Sequence, residues 1–284
     1  MPQTARRPRV DPAAPTAGIP TQPWQIEARA RTLSEALGTL LANAREGDYT
    51  SLSALQRLAI RCASHEKRPS APEGTATFAA QQAQIALDEA YCDWSATGLN
   101  YPQLQQELVA LRRHMVWQGD TLAIMAQTAL PAMARDAALS DETIYPTQDE
   151  LTSLAWDFAK STQSPEILAT ALSLLLKRAD DSPSGVTALD NVRQALQADG
   201  RYAALDNTRR QLIQESAVEW MACEQGAACG PHGMRQSIFC RYDGNCAAHL
   251  DYRSFLRERV LTPTEFELLQ TYMAELREAM GRNG

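Results

Sequence analysis

Sulfur is the most concentrated chemistry in this sequence. Cys62, Cys92, Cys223, Cys229, Cys240 and Cys246 are its six cysteines, an even number. The last four repeat one spacing. Cys223-Glu-Gln-Gly-Ala-Ala-Cys229 and Cys240-Arg-Tyr-Asp-Gly-Asn-Cys246 are both C-x5-C with an internal glycine. Disulfides are the first reading. Two such elements on adjacent helix ends can be stapled, with Gly226 and Gly244 allowing sharp reversals. The preferred pairing is Cys223 with Cys240 and Cys229 with Cys246, though spacing leaves the other two pairings open. Cys62 with Cys92 would join two neighbouring helices. Persistent disulfides imply an oxidising compartment, the periplasm or beyond. The alternative is zinc on Cys223, Cys229, Cys240 and Cys246, with His232 and His249 alongside. Structural zinc prefers C-x2–4-C knuckles, because two thiolates on one tight turn must share a tetrahedron. No C-x-x-C opens a helix, which argues against redox chemistry.

Acid–base chemistry has one weak candidate pair. Glu89 and Asp93 stand at i, i+4, so both carboxylates share a helix face. Such a pair can do hydrolytic chemistry if one member is desolvated. Solvated acidic pairs are far commoner. His65, beside Glu66 and Lys67, reads as an exposed helix end, and His114, beside Arg112 and Arg113, as a solvated face. A nucleophile elbow, a P-loop, H-E-x-x-H and a dinucleotide fingerprint are all missing from the sequence. Trp94, Trp117, Trp156 and Trp220 sit in helical patterns and read as packing residues, or as binding anchors if they line a concave face.

The elements that would position these groups are helices. Leu33, Leu37, Leu40 and Leu41 form one apolar stripe. So do Leu104, Leu108, Leu111 and Met115, then Leu168, Leu172, Leu175 and Leu176, then Phe266, Leu269, Met273, Leu276 and Met280. Thr147 with Glu150, and Thr262-Pro263-Thr264-Glu265, read as capping boxes. Ser164-Pro165-Glu166 is a further start signal. Gly47-Asp48 and Gly119-Asp120 each put a helix-ending glycine before an N-capping aspartate. Stretches 40–62, 108–133 and 154–179 each read as helix, short turn, helix. Their turn spacings suit hairpin repeats of about 34 to 45 residues.

Composition agrees. The 284 residues are 44% hydrophobic and 21% charged, with only 14 glycines and 6% aromatics. That favours helix over a turn-rich sheet. The net charge of -7 argues against nucleic acid as a partner. No apolar run approaches the ~18 residues that span a bilayer. Six of the 15 prolines fall in residues 1–23, which reads as a disordered tail or tether without an apolar signal-peptide core.

Two resemblances follow from these residues. Trp117-Gln-Gly-Asp-Thr-Leu-Ala-Ile-Met-Ala resembles the Sel1 and tetratricopeptide class of α-helical repeats, loosely and over about half the chain. An ordinary helical bundle explains the same pattern. Cys223-x2-Gly226-x2-Cys229-Gly230 with Cys240-x3-Gly244-x-Cys246 and the Thr-Pro-x-Glu helix is similar to a group of uncharacterised, cysteine-containing helical proteins of xanthomonad-like bacteria. That second resemblance covers the last 60 or so residues. It implies export and supplies no activity.

The expectation is thus an all-α helix-hairpin array, either an irregular α-solenoid or a multi-helix bundle, with a disulfide-stapled cap. Residues 1–23 would be the tail, 24–222 the helical body and 223–284 the cap. The expected function is that of an exported, periplasmic or secreted, non-enzymatic protein with no cofactor. It would bind another protein as an adaptor, inhibitor or immunity-type module, without entering a membrane. The alternatives are a cell-envelope hydrolase using Glu89 and Asp93, and a cytoplasmic zinc-stabilised interaction module.

Overall fold

Helix boundaries fall where side chains can cap them. In the computed structural model, residues 22–63, 69, 71–129, 147–177, 186–227, 229–230, 239–240, 246 and 250–282 are described. Every regular element among them is helical. Helix α1 (Pro23–Arg29) starts with Gln22 in a capping box and Pro23 in the first turn, so Pro23 belongs to the helical body and not to the tail. A first-turn proline loses nothing there, since its missing N–H would have had no intrahelical partner. Thr32 caps α2 (Leu33–Arg45), and Asp48 caps α3 (Tyr49–Cys62) by accepting from the Thr50 and Ser51 N–H groups. Gly47 between them has φ 95°, which a Cβ would resist. Thr75 caps α4 (Ala76–Tyr91), and Asn100 opens α5 (Tyr101–Trp117). Gly119 (φ 80°) and Asp120, which accepts from Ala123 N at 2.8 Å, then start α6 (Thr121–Ala129).

The Thr147–Glu150 capping box begins α7 (Gln148–Ser161), and Ser164 with Pro165 begins α8 (Pro165–Lys177). The chain continues through α9 (Thr187–Ala198), α10 (Gly200–Ala203) and α11 (Asn207–Glu224). Helix α12 (Tyr252–Phe255) runs into a single π turn (Leu256–Val260), where Leu261 N–H reaches back to Leu256 O at 2.9 Å. Helix α13 (Pro263–Ala279) opens on the Thr262–Glu265 capping box.

The leucine stripes find one another. All four stripe residues of α2 are buried, as are all four of α8 and all five of the α13 stripe. In α5, Leu104, Leu108 and Met115 are buried and Leu111 is partly buried against the same core. Helix α8 is the centre, packed on α3, α6, α7 and α11. Its contact with α3 skips across the α5–α6 hairpin. An open solenoid, whose units touch only their neighbours, does not make that contact. The architecture is therefore a multi-helix bundle with α8 buried in the middle.

Helix α13 packs on α9, α10 and α11, and its buried face belongs to the same core as α2 and α8. Helix α11 itself runs from the body through Cys223. Body and cap thus share one hydrophobic core. None of the helices of the described residues is long and apolar enough to cross a membrane.

Candidate functional site

Glu89 and Asp93 do not lie on one helix. Helix α4 ends at Tyr91, and Cys92 is its C-cap, with φ -89° and ψ 29°. Asp93 therefore leaves the helix before it can share a face with Glu89. Both residues are exposed. The Asp93 carboxylate accepts from Ser95 N–H at 2.9 Å, and the hydroxyl and N–H of Ser95 hold its pKa below the ordinary value. A solvated carboxylate with a lowered pKa is a poor proton donor at neutral pH.

The informative residue is one position earlier. Asp88 is buried, and it lies on an α4 face made of Gln81, Gln84, Asp88 and Tyr91. These four repeat at i, i+3, i+7 and i+10, a helical stripe. The stripe is polar, and it faces inward. Asp88 accepts from Arg61 Nε of α3 at 3.0 Å and from Gln84 Nε2 at 3.3 Å. The Arg61 guanidinium also lies 3.9 Å from the Tyr91 ring centroid. Burial pushes the Tyr91 hydroxyl up to about 12, although Arg61 acts against the shift. Gln81 donates to Cys240 O at 2.9 Å and accepts from Ala71 N–H at 3.0 Å. The buried Asp88, Gln81 and Gln84 are tolerated because they are paired like this, whereas the Tyr91 hydroxyl has no hydrogen-bond partner among the described residues.

The consequence lies on the other face of α4. Ala79, Ala83, Ala86, Leu87 and Ala90 are exposed, and Leu87 keeps 46% of its surface in solvent. The four alanines lie opposite the polar stripe, and Leu87 lies at its edge. Helix α4 is amphipathic in the reverse sense from an ordinary surface helix. Ile60, one residue before Arg61 on α3, is also exposed, at 53%. Pattern reading missed this because it scores apolar stripes as core. The available signal was Gln81, Gln84 and Asp88 at helical spacing, on the face opposite four alanines.

Disulfides fix this arrangement. Cys62 and Cys92 are bonded, with Cα atoms 5.5 Å apart, and the bond ties the end of α3 to the end of α4. The other pairings differ from the expected ones: Cys223 bonds Cys229 and Cys240 bonds Cys246. The physical reason is visible in the first loop. Gly226 adopts φ 103° just after α11 and turns the chain back, so Cys229 returns to within 5.5 Å of Cys223, Cα to Cα. The reversal at Gly226 closes the first C-x5-C element on itself. The four sulfurs named for the zinc alternative are paired in S–S bonds in this structure. His65, His232 and His249 lie outside the described residues. His114 is exposed, with Gln118 Nε2 at 3.2 Å.

The tryptophans divide. Trp156 and Trp220 are buried, and Trp220 stacks on Phe266 at 5.6 Å. Trp94 packs edge-on against Tyr101. Trp117 does not pack: it is 70% exposed. It lies two residues, about 200° of helix rotation, beyond the buried Met115. Trp24 has the role that pattern reading missed. Its ring covers Gly226, where an added Cβ would meet it at 3.0 Å.

A second buried network sits on α3. Arg57 bonds Glu27 of α1 at 2.7 Å and Glu166 of α8 at 3.3 Å. Burial works against its charge, but the two carboxylates outweigh that and raise the guanidinium pKa. Three helices are thus joined through one side chain.

Fold and site together define a disulfide-stapled, all-α bundle that carries one reversed amphipathic helix. No known protein family, curated protein or solved structure matches this chain. The two resemblances rest on the residues quoted for them alone.

Proposed function

We propose that this is an exported, non-enzymatic helical protein that docks on another protein through the outward face of α4, in an adaptor, inhibitor or immunity-type role. The observation that carries the reading is the reversed polarity of α4. A helix that spends Gln81, Gln84 and Asp88 on its buried side leaves Ala83, Ala86, Leu87 and Ala90 for a partner. Small residues let a second helix approach closely, and Leu87 supplies a side chain to bury. The partner chemistry is an apolar helix face. Three disulfides support an oxidising compartment.

The test is site-specific photocrosslinking in the native compartment. A photoreactive residue at Ala83 or Ala86 should give one discrete adduct. The same residue at the exposed Ala195 of α9 should give none. Leu87→Glu should abolish the Ala83 adduct while the helical circular dichroism stays unchanged. Equal labelling from Ala83 and Ala195 would refute the reading.

A further inference from the structure

A separate feature lies among α8, α9, α10, α11 and α13: a cavity of about 140 Å³. That is close to the size at which an engineered apolar cavity of roughly 150 Å³ takes up benzene. Its lining is mixed. Leu189 and Val192 supply aliphatic surface, Gln197, Asn207 and Gln214 supply amides, and Arg193 and Arg210 supply two guanidiniums. No aspartate or glutamate is among the lining residues.

The two arginines differ. Arg193 Nη1 lies 3.5 Å from Asp190, so its charge is partly answered within α9. Arg210 has no carboxylate partner among the described residues. One of its Nη atoms donates to Ala203 O at 3.0 Å, and its guanidinium carbon lies 5.9 Å from the Tyr202 ring centroid. Its Nε is buried with no hydrogen-bond partner among the described residues. A buried donor left unpaired is costly, and a charged one more so.

We infer that this cavity binds a short-chain monocarboxylate, with the carboxylate on Arg210 and the hydrocarbon chain against Leu189 and Val192. One half-buried cation without a carboxylate partner among the described residues matches one negative charge. Leu189 and Val192 give a short hydrocarbon chain an apolar wall within an otherwise polar lining, a contact that a hydrated phosphate does not use. The volume limits the chain to a few carbons.

The experiment is a titration of the ¹⁵N-labelled, oxidised full chain with butyrate, read by amide shifts. Saturable shifts are expected on α9 and α11, at Leu189, Val192 and Arg210. Neutral butyramide and inorganic phosphate, at matched ionic strength, should not saturate there. Arg210→Gln should weaken butyrate at least about tenfold, the worth of one charge-assisted hydrogen bond. Val192→Phe, which fills the cavity and keeps Arg210, should abolish binding in a folded protein, so the claim stays testable if Arg210→Gln does not fold. Saturation by butyramide or phosphate at the same concentrations as butyrate would overturn the inference. So would unchanged butyrate affinity in either variant, or no saturable shift at all.

Discussion

Removing the Cys62–Cys92 bond by the double substitution Cys62→Ala/Cys92→Ala should cost more stability than removing either C-x5-C bond. The difference can be worked from chain separation. Cys62 and Cys92 are 30 residues apart, whereas each cap bond spans 6. The loop-closure relation gives about 3.6 kcal/mol for the long loop and about 2.2 kcal/mol for a short one at 25 °C. Alanine is the appropriate replacement, because both sulfurs are buried and a serine would add a hydroxyl needing a partner. Urea denaturation of non-reduced protein reads the effect, and the m-value should rise most for the long-loop variant as its unfolded chain expands. The loss should also be local. Helix α4 is held to the bundle by this bond, by Arg61–Asp88 and by the Gln81 bonds. Its amides should therefore lose hydrogen-exchange protection before those of α8. The reasoning fails if Cys223→Ala/Cys229→Ala costs as much as Cys62→Ala/Cys92→Ala, or if α4 and α8 lose protection together.

Three further outcomes follow from particular residues. Leu172→Ala, at a fully buried site in the central helix, should cost about 3–5 kcal/mol by urea melt. Gly226→Ala should lower the melting temperature. It places a Cβ at φ 103° and 3.0 Å from the Trp24 ring, and the change in tryptophan fluorescence should report the displaced α1. The Glu265 carboxyl is held at about 2, chiefly by hydrogen bonds from Arg209 and also by Thr262, against the cost of burial. Because the folded pKa lies below the ordinary value of 4.5, the stabilisation is full above that pH and is lost as pH falls towards 2. Glu265→Gln should flatten the stability profile within that window and nowhere else.

Much of the bundle was legible because its signals are local. Capping oxygens at Thr147 and Thr262, the Gly47-Asp48 and Gly119-Asp120 turns, and the leucine stripes of α2 and α8 act within a few residues of themselves. What the pattern could not carry was tertiary. Whether Cys223 meets Cys229 or Cys240 depends on where Gly226 aims the chain. The Glu89–Asp93 spacing assumed a helix that in fact stops at Tyr91. Arg57 finds Glu27 and Glu166 from 30 and 109 positions away. The inward polar face of α4 was hidden for the opposite reason. Its spacing is plain, but which side of a helix is buried depends on whether partners such as Arg61 and the Cys240 carbonyl wait there.

The proposed export and the tie between α3 and α4 rest on S–S bonds. The direct measurement is a tryptic map of alkylated, unreduced protein isolated from its native compartment. Residues 211–235 carry Cys223 and Cys229 with no cleavage site between them, and Arg241 separates Cys240 from Cys246. The expected map has no alkylated cysteine, peptide 211–235 alone and lighter by two hydrogens, and peptide 236–241 linked to 242–253. Alkylation of four or more cysteines, or 211–235 linked to 236–241, would contradict it.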